Sequence, residues 1–232
     1  GDEAGTAITT GDNNVAIGYL SLTANTTGTR NTAVGMESLK TVITGVDCAA
    51  IGYKALRLNT GNSNTGLGSE TLGTNSSGAS NTAVGAAALF ANTTASNNTA
   101  VGTNALLANT TASNNTAVGT SALTANTTGD QNVAVGASAG AAVTTGLQNT
   151  LIGYLAGDAL TDADYNVAIG SNALSADTLG SRNVAIGRSA LAAQNFTSAT
   201  ASYNTAVGML AGSAVTTGTE NTLIGGLAGD AL

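Results

Sequence analysis

The chain contains no proline, no tryptophan and no histidine, a single cysteine and only 3% aromatic residues. Without histidine there is no catalytic triad built on it and no histidine-ligated metal centre. One cysteine makes neither an internal disulfide nor a cysteine zinc cluster. Charged residues are 8% of the chain, against about 25% in ordinary soluble domains, which argues against a charge-rich disordered tail. Six basic residues against thirteen acidic ones leave no basic footprint for nucleic acid. No apolar run approaches the ~20 residues that cross a bilayer, and no signal peptide or lipidation motif is present. Membrane insertion by this segment is not expected.

What remains is small and aliphatic: 42% hydrophobic residues and 31 glycines in 232 positions. A globular domain of this length buries many large side chains at close-packed density. This chain must bury small ones in a thin, regular arrangement.

The regularity is a repeat. The unit reads Asn-(Thr or Val)-Ala-(Val or Ile)-Gly-x-x-Ala-Leu-x-Ala-Asn-Thr-Thr-Gly-x-x, with the first asparagine as position 1. Thirteen copies start at Asn14, Asn31, Cys48, Asn64, Asn81, Asn98, Asn115, Asn132, Asn149, Asn166, Asn183, Asn204 and Asn221. Ten of the twelve spacings are 17 residues; one is 16, after Cys48, and one is 21, after Asn183. Both length changes fit the Thr-Thr-Gly segment, where a turn tolerates them. Residues 4–13 match the second half of a copy, and the last copy breaks off where residues 149–160 continue. Residues 1–232 are therefore expected to be one array, cut from a longer fibre protein.

Position 5 is glycine in every copy, from Gly18 to Gly225, as a positive φ or a very close approach to another chain requires. Position 4 is always aliphatic, from Ile17 to Ile224, and position 8 is always alanine, serine or threonine. Asparagine at position 1 suits a left-handed corner and an amide ladder to the same residue one coil away. Alanine and leucine favour helix. However, the fixed glycine, the threonine pair and the asparagines leave no stretch of the ~12 residues an isolated helix needs. Short strands of about five residues, with turns at Asn-Thr-Thr-Gly, are predicted instead.

Position 9 is leucine in nine copies and glycine in four, at Gly140, Gly157, Gly212 and Gly229. In three of those four a leucine appears at position 7, as Leu155, Leu210 and Leu227. A shift of two residues keeps a side chain on one strand face, so positions 7 and 9 are expected to share a pocket. Leu151 and Leu223 replace alanine at position 3 in two glycine copies, which reads as volume compensation in a packed core.

The architecture expected is all-β: a parallel β-solenoid, or β-roll, of about 13 coils, one per repeat, with like residues stacked at ~4.8 Å. Stacking would set Lys54 between Glu37 and Glu70 in an attractive ladder at position 7. The strand Thr-Ala-Val-Gly is unsuited to open solvent on either face, so both faces are expected to be covered, one inside the coil and one by other chains.

The NTAVG and NVAIG strands, each followed by a small residue, leucine and a turn, resemble the head repeats of trimeric autotransporter adhesins of the YadA-like type. The longer unit NTAVGTNALLANTTASN is similar to repeats of phage tail fibres and of bacterial tail-fibre-like surface proteins. The resemblance covers residues 4–232. It implies a homotrimer that projects from a cell surface or virion and binds a host glycan or protein.

Candidate sites are few. Asp158, Asp162 and Asp164 form the densest acidic run, conceivable for a hard cation but without a full calcium-ligand spacing; a solvated turn is the plainer reading. Tyr19, Met36 and Tyr53 at position 6, and Phe90 and Leu107 at position 10, could form outer apolar strips that bind a ligand or pack between chains. Phe196 falls in the longest insertion, a candidate protruding binding loop. Cys48 reads as a small buried thiol. Asn-Thr-Thr fits the glycosylation sequon, but turn and ladder roles already explain it.

The expected function is that of a structural or adhesive fibre segment that spaces and displays weak binding surfaces outside the cell, summed by multivalency. No enzymatic activity, metal or cofactor is expected. Two alternatives are an ice-binding solenoid, from its threonine columns, and a tail spike that binds or cleaves polysaccharide, although its carboxylates do not recur as a pair.

Overall fold

Positions 2 to 4 of every copy form a β-strand, and no segment among the described residues is helical. A computed structural model of the chain describes residues 1–230; Ala231 and Leu232, the end of the last copy, lie outside it. The chain clusters into two compact units, Gly1–Asn114 and Asn115–Leu232.

In the first unit β1 (Val15–Ile17), β2 (Thr32–Val34), β3 (Ala49–Ile51), β4 (Thr65–Leu67), β5 (Thr82–Val84) and β6 (Thr99–Val101) pair in parallel in chain order. In the second the order is β7 (Thr116–Val118), β8 (Val133–Val135), β9 (Thr150–Ile152), β10 (Val167–Ile169), β12 (Val184–Ile186), β14 (Thr205–Val207) and β15 (Thr222–Ile224). Two short strands, β11 (Gly180–Ser181) and β13 (Thr200–Ala201), pair separately beside the longest turn. The register always sets a repeat position on its equivalent, as in Thr82↔Thr99 and Val167↔Val184. Each unit is a parallel β-solenoid, with six coils in the first and seven in the second.

Glycine at position 5 ends each strand with the expected positive φ, and the close approach is to the next coil of the same chain rather than to another chain. Gly85 has φ +117°, and a Cβ there would lie 2.7 Å from the backbone carbon of Gly102 in the next coil. The strands are shorter than expected because the backbone changes hand soon after that glycine. Positions 7, 9 and 17 all take left-handed φ near +50 to +60°, as at Glu37, Leu39 and Arg30. Hydrogen bonding between coils supplies the reason. Glu37 N–H donates back to Tyr19 O at 2.9 Å, while Leu39 N–H donates forward to Ala55 O at 3.0 Å. Alternating handedness turns successive amides up and down the stack, so that each finds a carbonyl.

Positions 7 and 9 therefore share no pocket. Leucine at position 9, as at Leu22, Leu89 and Leu174, is fully buried, while Leu155 and Leu210 at position 7 are half-buried and Leu227 is exposed. Burying a leucine is worth about 1.5–3 kcal/mol, which offsets the ~1–2 kcal/mol of a left-handed backbone. At Gly140, Gly157 and Gly212 the space at position 9 goes to leucine at position 3 of the same or the next coil and to an aliphatic residue at position 12. A Cβ on Gly140 would meet Leu151, Leu123 and Val143, and one on Gly157 would meet Leu151 and Leu160. The compensation by Leu151 holds, whereas compensation through position 7 does not.

Positions 3 and 8, mostly alanine as at Ala33 and Ala88, are fully buried as well, and two further inward columns are polar. The asparagine at position 1 donates from Nδ2 to the carbonyl of position 15, as Asn31 does to Gly45 O at 2.7 Å. Its Oδ1 accepts the backbone N–H of position 1 in the next coil, as Asn166 Oδ1 does from Asn183 at 2.9 Å. The amide ladder is thus present, but the left-handed residue at the corner is position 17, not position 1. Position 12 forms a second buried ladder: Asn92 Nδ2 donates to Asn75 Oδ1 at 2.6 Å, and Asn109 Nδ2 to Asn92 Oδ1 at 2.9 Å. Where Val42 interrupts it, Asn25 Oδ1 is left without a partner.

Candidate functional site

Both irregular spacings lie in the turn after position 12, as expected. The 16-residue coil lacks one turn residue, and Thr60 and Gly61 both donate to Ser76 O. The 21-residue coil bulges through residues 195–202. Phe196 does not protrude from this bulge. It is 7% exposed, its N–H donates to the buried carboxylate of Asp177 at 3.0 Å, and Gln194 Nε2 donates to the same carboxylate at 2.6 Å. Burial of the one large ring fills the widened coil, so Phe196 is a packing residue.

The acidic run is likewise dispersed. Asp162 accepts a hydrogen bond from the Thr145 hydroxyl and Asp164 one from the Leu147 N–H at 2.9 Å, each in the preceding coil. Asp158 stands apart with a buried, unpartnered Oδ1, and burial raises its pKa. The three carboxylates do not converge on a point where a cation could sit, and no metal-holding group of three or more such side chains occurs among the described residues.

Lys54 does not bridge Glu37 and Glu70. Its ammonium lies 4.8 Å from the Tyr53 ring centre, and Glu37 pairs instead with Lys40 at 3.0 Å. The Lys40 hydrogen bond holds the Glu37 carboxyl below its usual range. The coil register is as expected, but the alternative partner one turn along the same coil is nearer.

Cys48 is buried in the position-1 column, where its thiol lies 3.3 Å from Gly61 O and accepts from Asn59 Nδ2 at 3.5 Å. Burial pushes the thiol pKa up, so little thiolate is available. Cys48 is expected to resist alkylation by iodoacetamide in the native protein and to react at the rate of a free thiol in denaturant. Rapid native labelling, read by mass spectrometry, would contradict its place in the column.

Three exposed rows remain. The strand face carries position 4, with Ile17, Ile51 and Leu67 exposed in the first unit and Val135 and Ile224 in the second. Position 6 carries Tyr19, Met36 and Tyr53, all exposed, which agrees with the expected outer strip. Phe90 and Leu107 at position 10 are half-buried, the Phe90 ring lying over the backbone of Gly73 one coil below. The third row, at position 17, is one that no local motif marks in the sequence. It holds Gln131, Gln148, Tyr165, Arg182, Tyr203 and Glu220 in successive coils, all left-handed. Aligning the repeat down its columns is the signal that finds it.

The threonines at position 13 donate to the backbone of the next coil, as Thr93 does to Thr110 O at 3.0 Å and Thr161 to Thr178 O at 3.1 Å. The asparagines of the Asn-Thr-Thr turns, such as Asn92 and Asn109, are fully buried and thus inaccessible to glycosylation. Comparison with protein-family models, curated proteins and solved structures finds no match.

Proposed function

We propose that the chain is a non-enzymatic fibre segment that assembles with copies of itself, as a trimer, and displays weak binding surfaces outside the cell or on a virion tail. The observation that supports this most is the exposed aliphatic row at position 4. Ile17 is 57% exposed and Leu67 45% exposed, in a chain with little charge to dilute them. Others in the row, such as Val34, Val84 and Ile152, are half-buried, and monomeric proteins rarely expose large apolar patches. A second solenoid has the same one-coil spacing and meets such a row residue by residue. The resemblance to adhesin head and tail-fibre repeats supports three chains rather than two.

Sedimentation and native mass measurement test this reading. A trimer is expected at micromolar concentration, and Ile51→Glu together with Val135→Glu is expected to release folded monomers. A wild-type chain that stays monomeric would overturn it.

A further inference from the structure

The position-17 corner of the second unit holds an arginine in an unusual setting. Arg182 stands one coil from Tyr165 and one coil from Tyr203, and its guanidinium carbon lies 4.8 Å and 5.9 Å from the two ring centres. All three residues have left-handed φ, and Tyr165 and Tyr203 are 45% and 54% exposed. Arg30 occupies the equivalent position in the first unit, where Asp47 closes its fork with bonds of 2.6 and 2.9 Å. Arg182 has no such carboxylate: the ion pairs among the described residues are Arg30–Asp47 and Lys40–Glu37. Two rings hold the guanidinium plane by cation–π attraction and leave its N–H groups to an outside acceptor.

We propose that Tyr165, Arg182 and Tyr203 bind an acidic polysaccharide, with Arg182 taking a sugar carboxylate and the two phenols hydrogen-bonding the flanking hydroxyls. A planar guanidinium and a carboxylate form two parallel charge-assisted bonds. The polymer class follows from the rest of the row. Gln148 Nε2 donates to Gln131 Oε1 at 2.7 Å on one side of the tyrosines, and Glu220 stands on the other. Amide, phenol, guanidinium and carboxylate thus succeed one another at one-coil spacing, ~4.8 Å, close to the advance of one pyranose in an extended chain. The long-sheet strands behind the corner, β9, β10, β12 and β14, are paired on both sides and offer a peptide no edge, and the separate pair β11–β13 is only two residues long, too short for a peptide strand to join with many bonds. Six basic residues against thirteen acidic ones leave no basic stripe to follow a nucleic-acid backbone, whereas the one arginine suits a single sugar carboxylate.

The site deepens the display role proposed above but does not depend on the number of chains. The test is calorimetric titration of the full chain with oligogalacturonate, oligoalginate and oligohyaluronate, and with methyl-esterified oligogalacturonate as the uncharged control. At least one acidic oligosaccharide is expected to bind and the ester to bind at least tenfold more weakly. Arg182→Gln is expected to lower the affinity about tenfold, a loss of about 1.4 kcal/mol. Tyr203→Ala is expected to lower it too, and Arg30→Gln to leave it unchanged, with all variants melting like the wild type. No binding to any acidic probe, equal binding of the ester, or binding undiminished in Arg182→Gln would overturn the proposal. Sedimentation of the same samples separates the two readings: a monomer that binds removes the trimer and keeps the site, while a trimer that does not bind removes the site alone.

Discussion

Replacing Gly153 by alanine is expected to destabilise the second unit by on the order of 4 kcal/mol or more, lowering its melting temperature by roughly 10 °C. Two effects add. Gly153 has φ +135°, and the new Cβ would lie 2.6 Å from both the carbonyl carbon and oxygen of Gly170 in the next coil. That obstacle is backbone held by strand pairing on both sides, so it cannot move aside as a side chain would. Two further glycines separate the effects. Gly225 has φ +126° with nothing within 4 Å of the added carbon, so Gly225→Ala carries the strain alone, about 1–3 kcal/mol. Gly226 has neither constraint, its nearest neighbour being Met209 O at 3.9 Å, and Gly226→Ala is expected to change stability by less than about 0.5 kcal/mol. Thermal and urea unfolding followed by circular dichroism give the ranking. Equal effects at Gly153 and Gly226 would mean that the coils do not touch at position 5.

The second large effect is expected at Asn166. Its Nδ2 donates to Gly180 O at 2.9 Å and its Oδ1 accepts from Asn183 N–H at 2.9 Å, with the side chain fully buried. Asn166→Leu leaves both backbone groups buried and unpaired, at about 1–3 kcal/mol each, for a total of roughly 3–5 kcal/mol. Asn166→Asp keeps the acceptor but loses the donor and buries a charge, so it is expected to be the worse of the two at neutral pH. The pH dependence distinguishes them. Burial would raise the folded-state pKa of the new carboxyl above its unfolded value, so the folded state binds the extra proton. Stability of the aspartate variant then rises as pH falls through that raised pKa, because the protonated acid regains an O–H donor. The leucine variant lacks this recovery. A pH-independent difference between the two, measured by urea unfolding, would argue against an acceptor–donor role for this column.

These two columns are legible in the sequence because their chemistry admits few alternatives. A glycine fixed at Gly18, Gly35, Gly52 and onward has no side chain to contribute, so only backbone geometry explains it. The asparagine at position 1 recurs with the same period, and an amide that both donates and accepts is suited to a ladder. The alternation of left-handed residues is not legible. Leucine, lysine and serine at positions 7 and 9 have no left-handed preference of their own; the need of each amide for a carbonyl in the coil above or below overrides local propensity. For the same reason the step from Leu155 to Gly157 looks like a step along one strand face, when the chain there is a turn. The Lys54 ladder fails for a different cause. Stacking brings columns into register, but long side chains choose among several near partners: Lys54 lies over the Tyr53 ring, and Glu37 pairs with Lys40. Insertions usually protrude, which favours an exposed Phe196, yet a longer coil also encloses more volume, and the ring fills it. The Tyr165–Arg182–Tyr203 row is visible only by aligning copies across the irregular spacing after Asn183.

Equivalent positions of successive coils lie side by side, and paired cysteines measure that directly. Thr82 and Thr99 are strand partners in register, whereas Val101 lies two residues further along the strand on the same face. With Cys48 replaced by alanine, Thr82→Cys with Thr99→Cys is expected to oxidise to a disulfide under mild conditions, because adjacent strands fall within the ~4.4–6.8 Å Cα separation such a bond needs. Thr82→Cys with Val101→Cys is expected to stay reduced. Cross-linking of the second pair in preference to the first would place the coils out of register and contradict the stacked solenoid.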